Sequence, residues 1–279
     1  MYSSDMPSAI TTADISDAIH SLRIADRPVC VHSSLQSFGY VEGGADAGVD
    51  GVLKACGTMM VPSFSWSYAI MPPTDQQYPQ NGCDYADYSE TTSGWDKIYS
   101  PESQTIDAKM GAIPRAVVTR EGRRRGFHAV CSFSALGPVA NDLIAGQRPD
   151  DVYAPLSELA RRDGAVILMG VGLQRLTLLH LAEKLAGRTL LRRWALGPSG
   201  EPIAHEAGGC SAGFSNLGPV LSPLMRRSTV GASNWICMPV RETLEAVAEA
   251  IRKDPRITHC GDPDCLKCRD AMLGGPRVP

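Results

Sequence analysis

A chain of 279 residues, 43% hydrophobic and 20% charged, has the composition of a globular protein and excludes the disordered and fibrous classes. Its formal net charge of -3 supplies no basic field, so neither nucleic acid nor an anionic membrane is expected as a partner. No run of about 18 apolar residues occurs, and residues 1–22 lack a basic stretch followed by an apolar one, so no membrane helix and no secretory leader are expected. A cytoplasmic location follows, in which the nine cysteines are expected as thiols or metal ligands.

In chain order, Ile15, Ala18, Ile19 and Leu22 fall at helical spacing and predict a helix over 12–24. The apolar run 28–32 predicts a buried strand, and the glycines Gly39, Gly43 and Gly44 mark a loop. A helix over 45–56 and a strand over 58–61, stopped by Pro62, complete a βαβ unit. Residues 66–109 are rich in Tyr, Pro, Ser, Asp and Asn with little periodicity. A segment this long is expected to be functional, here a substrate-facing excursion. A helix is predicted over 110–118 and a short one over 155–162. Ala165–Met169 reads as the clearest buried strand, followed by Gly170-Val171-Gly172 and a helix over 177–186. Residues 190–206 read as a hairpin turning at 197–200, and 239–253 as an amphipathic helix. The whole reads as a single α/β domain over 1–279, with a central mixed sheet flanked by helices.

Three constellations carry chemistry. His32-Ser33-Ser34-Leu35 with Gly43 and Gly44 places hydroxyls and backbone N–H groups at the end of a strand. Such groups hold phosphate or amide groups, or cap the following turn. Thr177 and His180 share one face near a helix N-terminus, where a histidine serves as general base or as a satisfied core residue. Glu183, three residues on, reads as a helix-surface residue. The basic run Arg123-Arg124-Arg125 reads as a solvated loop or a phosphate contact. The third constellation, in the Cys-rich tail 257–270, is His259, Cys260, Cys265 and Cys268. It offers four soft ligands within ten residues, which suits a closed structural zinc site with Cys210 as an alternative to His259. Cys30, Cys56, Cys131 and Cys237 sit in apolar runs and are expected in the core.

The segments VHSSLQSFGYVEGGADAGVDGVL (31–53), VPSFS (61–65), YSPESQTIDAKMG (99–111), FHAVCSFSALG (127–137), GVGLQRLTLLHLAE (170–183) and GGCSAGF (208–214) together resemble the aminoglycoside 3-N-acetyltransferase family. The resemblance spans nearly the whole chain. It implies an α/β fold distinct from the GNAT acetyltransferases, acetyl-CoA as donor, a small-molecule amine as acceptor and direct transfer in a ternary complex. A monomer or homodimer is expected. It puts the general base on His180 and an acidic partner on Glu206. It puts pantetheine contacts on Ser33, Ser34, Val41, Gly43 and Gly44, and cleft positions on Tyr68, Gln174, Thr177, His128 and Ser132. Tyr68, Gln174 and Gly208 are neutral where the family places carboxylates or an amide, and Gln36 stands where an arginine is usual. Weak capture of polycations is therefore expected, unless Asp84, Asp87, Glu90 or Asp96 restores a negative cleft. Alternatives are the same chemistry on another biosynthetic amine, a hydrolase using Ser33 or Ser34 with His180, and a non-catalytic zinc-binding module.

Overall fold

Both faces of the strand Val29–Ser33 are covered, which is why its sequence is a continuous apolar run rather than an alternation. It lies in the middle of a seven-stranded sheet in a computed structural model that describes residues 9–88 and 93–277. In chain order the helices are α1 (Thr12–Ser21), α2 (Gly44–Cys56), α3 (Ala112–Thr119), α4 (Ala140–Ile144), α5 (Ala154–Arg161), α6 (Leu178–Leu185), α7 (Gly218–Leu221), α8 (Val240–Lys253) and α9 (Leu266–Met272). The strands are β1 (Val29–Ser33), β2 (Met59–Pro62), β3 (Ala69–Ile70), β4 (Arg124–Arg125), β5 (Phe133–Leu136), β6 (Ala165–Met169), β7 (Leu191–Leu196), β8 (Pro202–Ala207), β9 (Arg226–Val230) and β10 (Ser233–Pro239).

The large sheet has the order β4-β5-β2-β1-β6-β10-β9. β1 runs parallel to β2 and β6, and the outer strands are antiparallel, so the sheet is mixed as expected. Val29 and Val31 pack with α1, α2 and α3, whereas Cys30 of the same strand packs with α4 to α8. The period of two thus feeds two separate hydrophobic cores, one on each face. The expected hairpin is β7–β8, with Arg192 opposite Glu206.

The excursion is not structureless. It contributes β3, which pairs with β7 in a second, three-stranded antiparallel sheet, and Ile98 bridges to Leu196. Arg125 ties it down: its guanidinium donates to the carbonyls of Ser63 (2.8 Å), Ser103 (2.7 Å) and Thr105 (2.9 Å), to the hydroxyls of Ser65 (3.2 Å) and Ser132 (3.0 Å), and lies over the Tyr99 ring. Arg125 is buried, so this part of the basic run is neither a solvated loop nor a phosphate contact. A planar fork with five donors is suited to gathering backbone carbonyls from segments without regular structure.

Candidate active site

Parallel strands end together, and the loops that follow them leave a crevice at their carboxyl ends. Here His32 and Ser33 end β1, Pro62 ends β2 and Gly170 follows β6, and all four line a cavity of about 1040 Å³. Gly170 has φ +68°, and a side chain there would collide with the Ser37 hydroxyl, so the strand turns away from the cavity only with glycine at this position.

One side of the cavity is the entry to α2. Ser33, Ser34, Val41 and Gly44 line it, while Gly43 caps the helix at φ +77° and is not among the lining residues. The Ser33 hydroxyl is buried and has no hydrogen-bond partner among the described residues. An unpaired buried hydroxyl costs free energy unless a ligand satisfies it. Together with the first turn of α2, where the Gly44 N–H is taken by the Val41 carbonyl but the helix N-terminus still favours negative charge, it makes this side suited to amide and phosphate groups. The excursion supplies Trp66, Asp107 and Lys109, and Met110 follows it. Asp107 accepts the Trp66 N–H at 3.2 Å, and burial pushes its carboxyl up from the ordinary aspartate value.

His180 also lines the cavity, in a run of buried residues that opens α6. Its Nδ1 is 2.8 Å from Glu183 Oε2, and Glu183 in turn is paired with Arg188. All three side chains are buried. An ionised carboxylate only accepts, so in the neutral ring Nδ1 carries the proton and Nε2 the lone pair. The ring stands parallel to Tyr153 at 6.3 Å and tilted against Phe214 at 4.8 Å. Nε2 and Cδ2 face Gly208, where an added Cβ would lie 2.7 and 2.5 Å away. His180, Thr177, Gln174, Tyr153 and Gly208 all line the cavity.

Other expected positions fall elsewhere. Glu206 does not hold His180: its carboxylate is bound by Lys184 Nζ (2.7 Å), Arg192 (3.4 Å) and the Val152 N–H (3.4 Å). The carboxylate at His180 is instead that of Glu183, whose i,i+3 spacing is visible in the sequence but whose burial is not. His128 is completely buried away from the cavity. Its Nδ1 accepts the Cys131 N–H and its Nε2 donates to the Glu206 carbonyl, and burial, with His205 beside it, holds it well below the usual histidine value. It is a neutral strut. Tyr68 is buried against Tyr99, with its hydroxyl on Ser103, and does not line the cavity. Of the acids expected to restore a negative cleft, Asp84, Asp87 and Asp96 do not line it, and Glu90 falls outside the described residues. Among the described residues the acid that does is Asp107, which the sequence does not single out because nothing in its neighbourhood is periodic.

In the tail, the sulfurs of Cys210, Cys260, Cys265 and Cys268 lie within 4.8 Å of one another. A tetrahedral zinc with bonds of about 2.3 Å sets its sulfurs about 3.8 Å apart, so the four thiols fit that ion. Cys210 replaces His259, whose Nδ1 instead accepts the Gly261 N–H at 3.0 Å.

A sequence model described as aminoglycoside 3-N-acetyltransferase matches residues 30–252. The chain belongs to the aminoglycoside 3-N-acetyltransferase family. Aminoglycoside N(3)-acetyltransferase IX of Micromonospora chalcea is 33% identical over 185 residues, 63% of this chain and 63% of that protein. The chain thus matches less than two thirds of that relative's length. Among solved structures, a mutant of aminoglycoside acetyltransferase AAC(3)-IVa in complex with a gentamicin superposes with a TM-score of 0.77 at 21% identity, covering 97% of this chain and 99% of that one. AAC-IIIb, binary with CoASH, gives 0.70 at 19%, covering 88% and 97%. At these identities the structural likeness is one of fold.

Within this family site, the contact of Gly208 with the His180 ring yields a test. Gly208→Ala is expected to displace the ring and to cost about 1–3 kcal/mol of stability, the scale of overpacking a well-filled interior. Denaturant unfolding measures it, and an unchanged midpoint with an unmoved ring contradicts the contact.

Proposed function

We propose that the chain transfers the acetyl group of acetyl-CoA to an amine of an aminoglycoside- or aminocyclitol-like acceptor, with His180 as general base. The observation that carries the reading is the orientation of His180: Nδ1 is taken by Glu183, and Nε2 is turned to the Gly208 side of the cavity. One structural relative is a binary complex with CoASH and another a complex with a gentamicin, which supports a donor and an acceptor of these classes.

In this mechanism the unpaired Ser33 hydroxyl, Ser34, Val41 and the N-terminus of α2 hold the pantetheine and phosphate part of the donor. Lys109 and Arg175, the cations that line the cavity among the described residues, offer charge to its phosphates. The acceptor enters as neutral amine and its nitrogen attacks the thioester carbonyl carbon. His180 Nε2 takes the proton released as the C–N bond forms, and Glu183 stabilises the imidazolium. The C–S bond then breaks, and His180 returns the proton to the CoA sulfur. No serine hydroxyl is bonded to His180 among the described residues, which favours direct transfer over a serine hydrolase.

The acceptor side is poor in negative charge. Asp107 is the acid that lines the cavity among the described residues, and Gly208 has no room for a carboxylate beside His180. Gln174 is neutral. We read the preferred acceptor as one carrying few ammonium groups rather than a polycation. The four tail thiols are read as a structural zinc site, and reduced thiols in such a cluster suit the cytoplasm.

His180→Ala is expected to lower kcat by a factor of roughly 100 to 10,000, with Glu183→Gln costing less because the imidazole remains. The assay follows CoA thiol release against acetylated amine; near-normal turnover of His180→Ala contradicts the mechanism, and CoA release without acetylated amine points to hydrolysis instead. In the same assay a monoamino aminocyclitol should show a higher kcat/KM than gentamicin-like polycations. The reverse order contradicts the reading of the acceptor.

A further inference from the structure

The cavity wall beside His180 is the segment Gly208–Ser211, in which Gly208, Gly209 and Ser211 line the cavity. Two consecutive glycines leave such a wall with more backbone freedom than any other pair of residues. The side chain between them and Ser211 is Cys210, and its sulfur belongs to the cluster with Cys260, Cys265 and Cys268.

The tail that carries the other three cysteines reaches the catalytic histidine by a second route as well. Arg188, the partner of Glu183, donates to the Thr258 hydroxyl at 2.8 Å and to the Pro255 carbonyl. Thr258 and Arg188 are both buried. Gly213 packs so closely on the carbonyls of Thr258 and His259 that a side chain there would collide with them. The tail also has anchors that need no thiol. Asp270 accepts the Gly82 N–H at 2.8 Å, Gln80 donates to the Gly275 carbonyl at 2.6 Å, and Asn216 donates to the His259 carbonyl at 3.1 Å. These contacts hold the terminus without metal. What the cysteines add to them is a hold on Cys210, and through it on the glycine wall.

We propose that zinc ligation by Cys210, Cys260, Cys265 and Cys268 fixes the Gly208–Ser211 wall against the His180 ring, so that the cluster positions the catalytic histidine in addition to securing the tail. All four positions of a tetrahedral ion are filled by protein sulfur, so the ion itself takes no part in the chemistry. Its effect is geometric. A displacement of about 1 Å at a reacting group is enough to cost on the order of 100-fold in rate.

The kinetic arm of the test rests on the acetyl-transfer reading; the spectroscopic arm does not. The full chain is purified without added metal and compared with Cys265→Ser, which removes a ligand, and Cys265→His, which keeps a ligand set of three cysteines and one histidine. Zinc content, the His180 ring resonances, kcat and the KM for acetyl-CoA are measured for each. The wild type should hold close to one zinc. Cys265→Ser should lose it, shift the His180 signals and drop in kcat by about tenfold or more, with the KM changed by no more than about twofold. Cys265→His should retain zinc, signals and rate. A wild type with less than about a tenth of an equivalent of zinc overturns the proposal. So does a zinc-free Cys265→Ser with unchanged kcat and His180 signals. If Cys265→Ser does not fold, chelation of the wild type decides: rate and ring signals must change in step with zinc release while the circular dichroism stays native, and changes that appear only with unfolding overturn it. A zinc-loaded wild type that transfers no acetyl group defeats the functional reading, and the His180 signals still decide the positioning.

Discussion

The hydrogen bond between His180 Nδ1 and the Glu183 carboxylate, 2.8 Å long and buried, is the contact on which the site depends. A histidine bonded at neither nitrogen exists as two tautomers and rotates about its side chain. A carboxylate at Nδ1 selects one tautomer and one ring orientation. Here the carboxylate is itself held by Arg188, and Arg188 by Thr258 and Pro255, so the orientation is set by a chain of groups that leads from the cavity to the tail. Each buried charge in that chain has a partner of opposite sign or a hydrogen bond, which is the condition under which charges persist in an interior. The ring is then confined between Tyr153 and Phe214 and bounded by Gly208.

Much of this architecture is legible in the sequence. The run 28–32, the glycine loop, the helix beginning near Ala45 and the strand before Pro62 give the βαβ unit and put the site at its carboxyl end, because continuous apolar strands separated by a helix leave few other arrangements. The partner of His180 is harder to read. Glu183 is at helical spacing from it, but spacing alone does not say which face of α6 is buried, and a glutamate is more often exposed. Glu206 is drawn away by cations that only pairing brings near: Arg192, which the hairpin register sets opposite it, and Lys184 from α6. Asp107 and Arg125 lie in or against the excursion, whose shape comes from side-chain bonds to scattered carbonyls, and no periodicity announces those. Cys210 reaches the tail cysteines across a sequence separation that knuckle spacing does not encode.

The departures from the family pattern acquire physical reasons. Glycine at 208 leaves room for the imidazole, so a carboxylate cannot stand there without moving His180. Lys109 and Arg175 on the cavity wall suit phosphates better than an ammonium-rich ring system. Under the proposed reading, the same cavity holds an anionic donor by charge and selects its acceptor by shape and hydrogen bonding.

The central claim, that His180 is the base and Glu183 its support, is tested most directly by a crystal structure of the chain with CoA and a slowly reacting amine bound. The account predicts the amine nitrogen about 3 Å from His180 Nε2, the CoA sulfur on the same side, and Nδ1 still on Glu183. An amine bound away from His180, with Nε2 facing protein atoms alone, would contradict it.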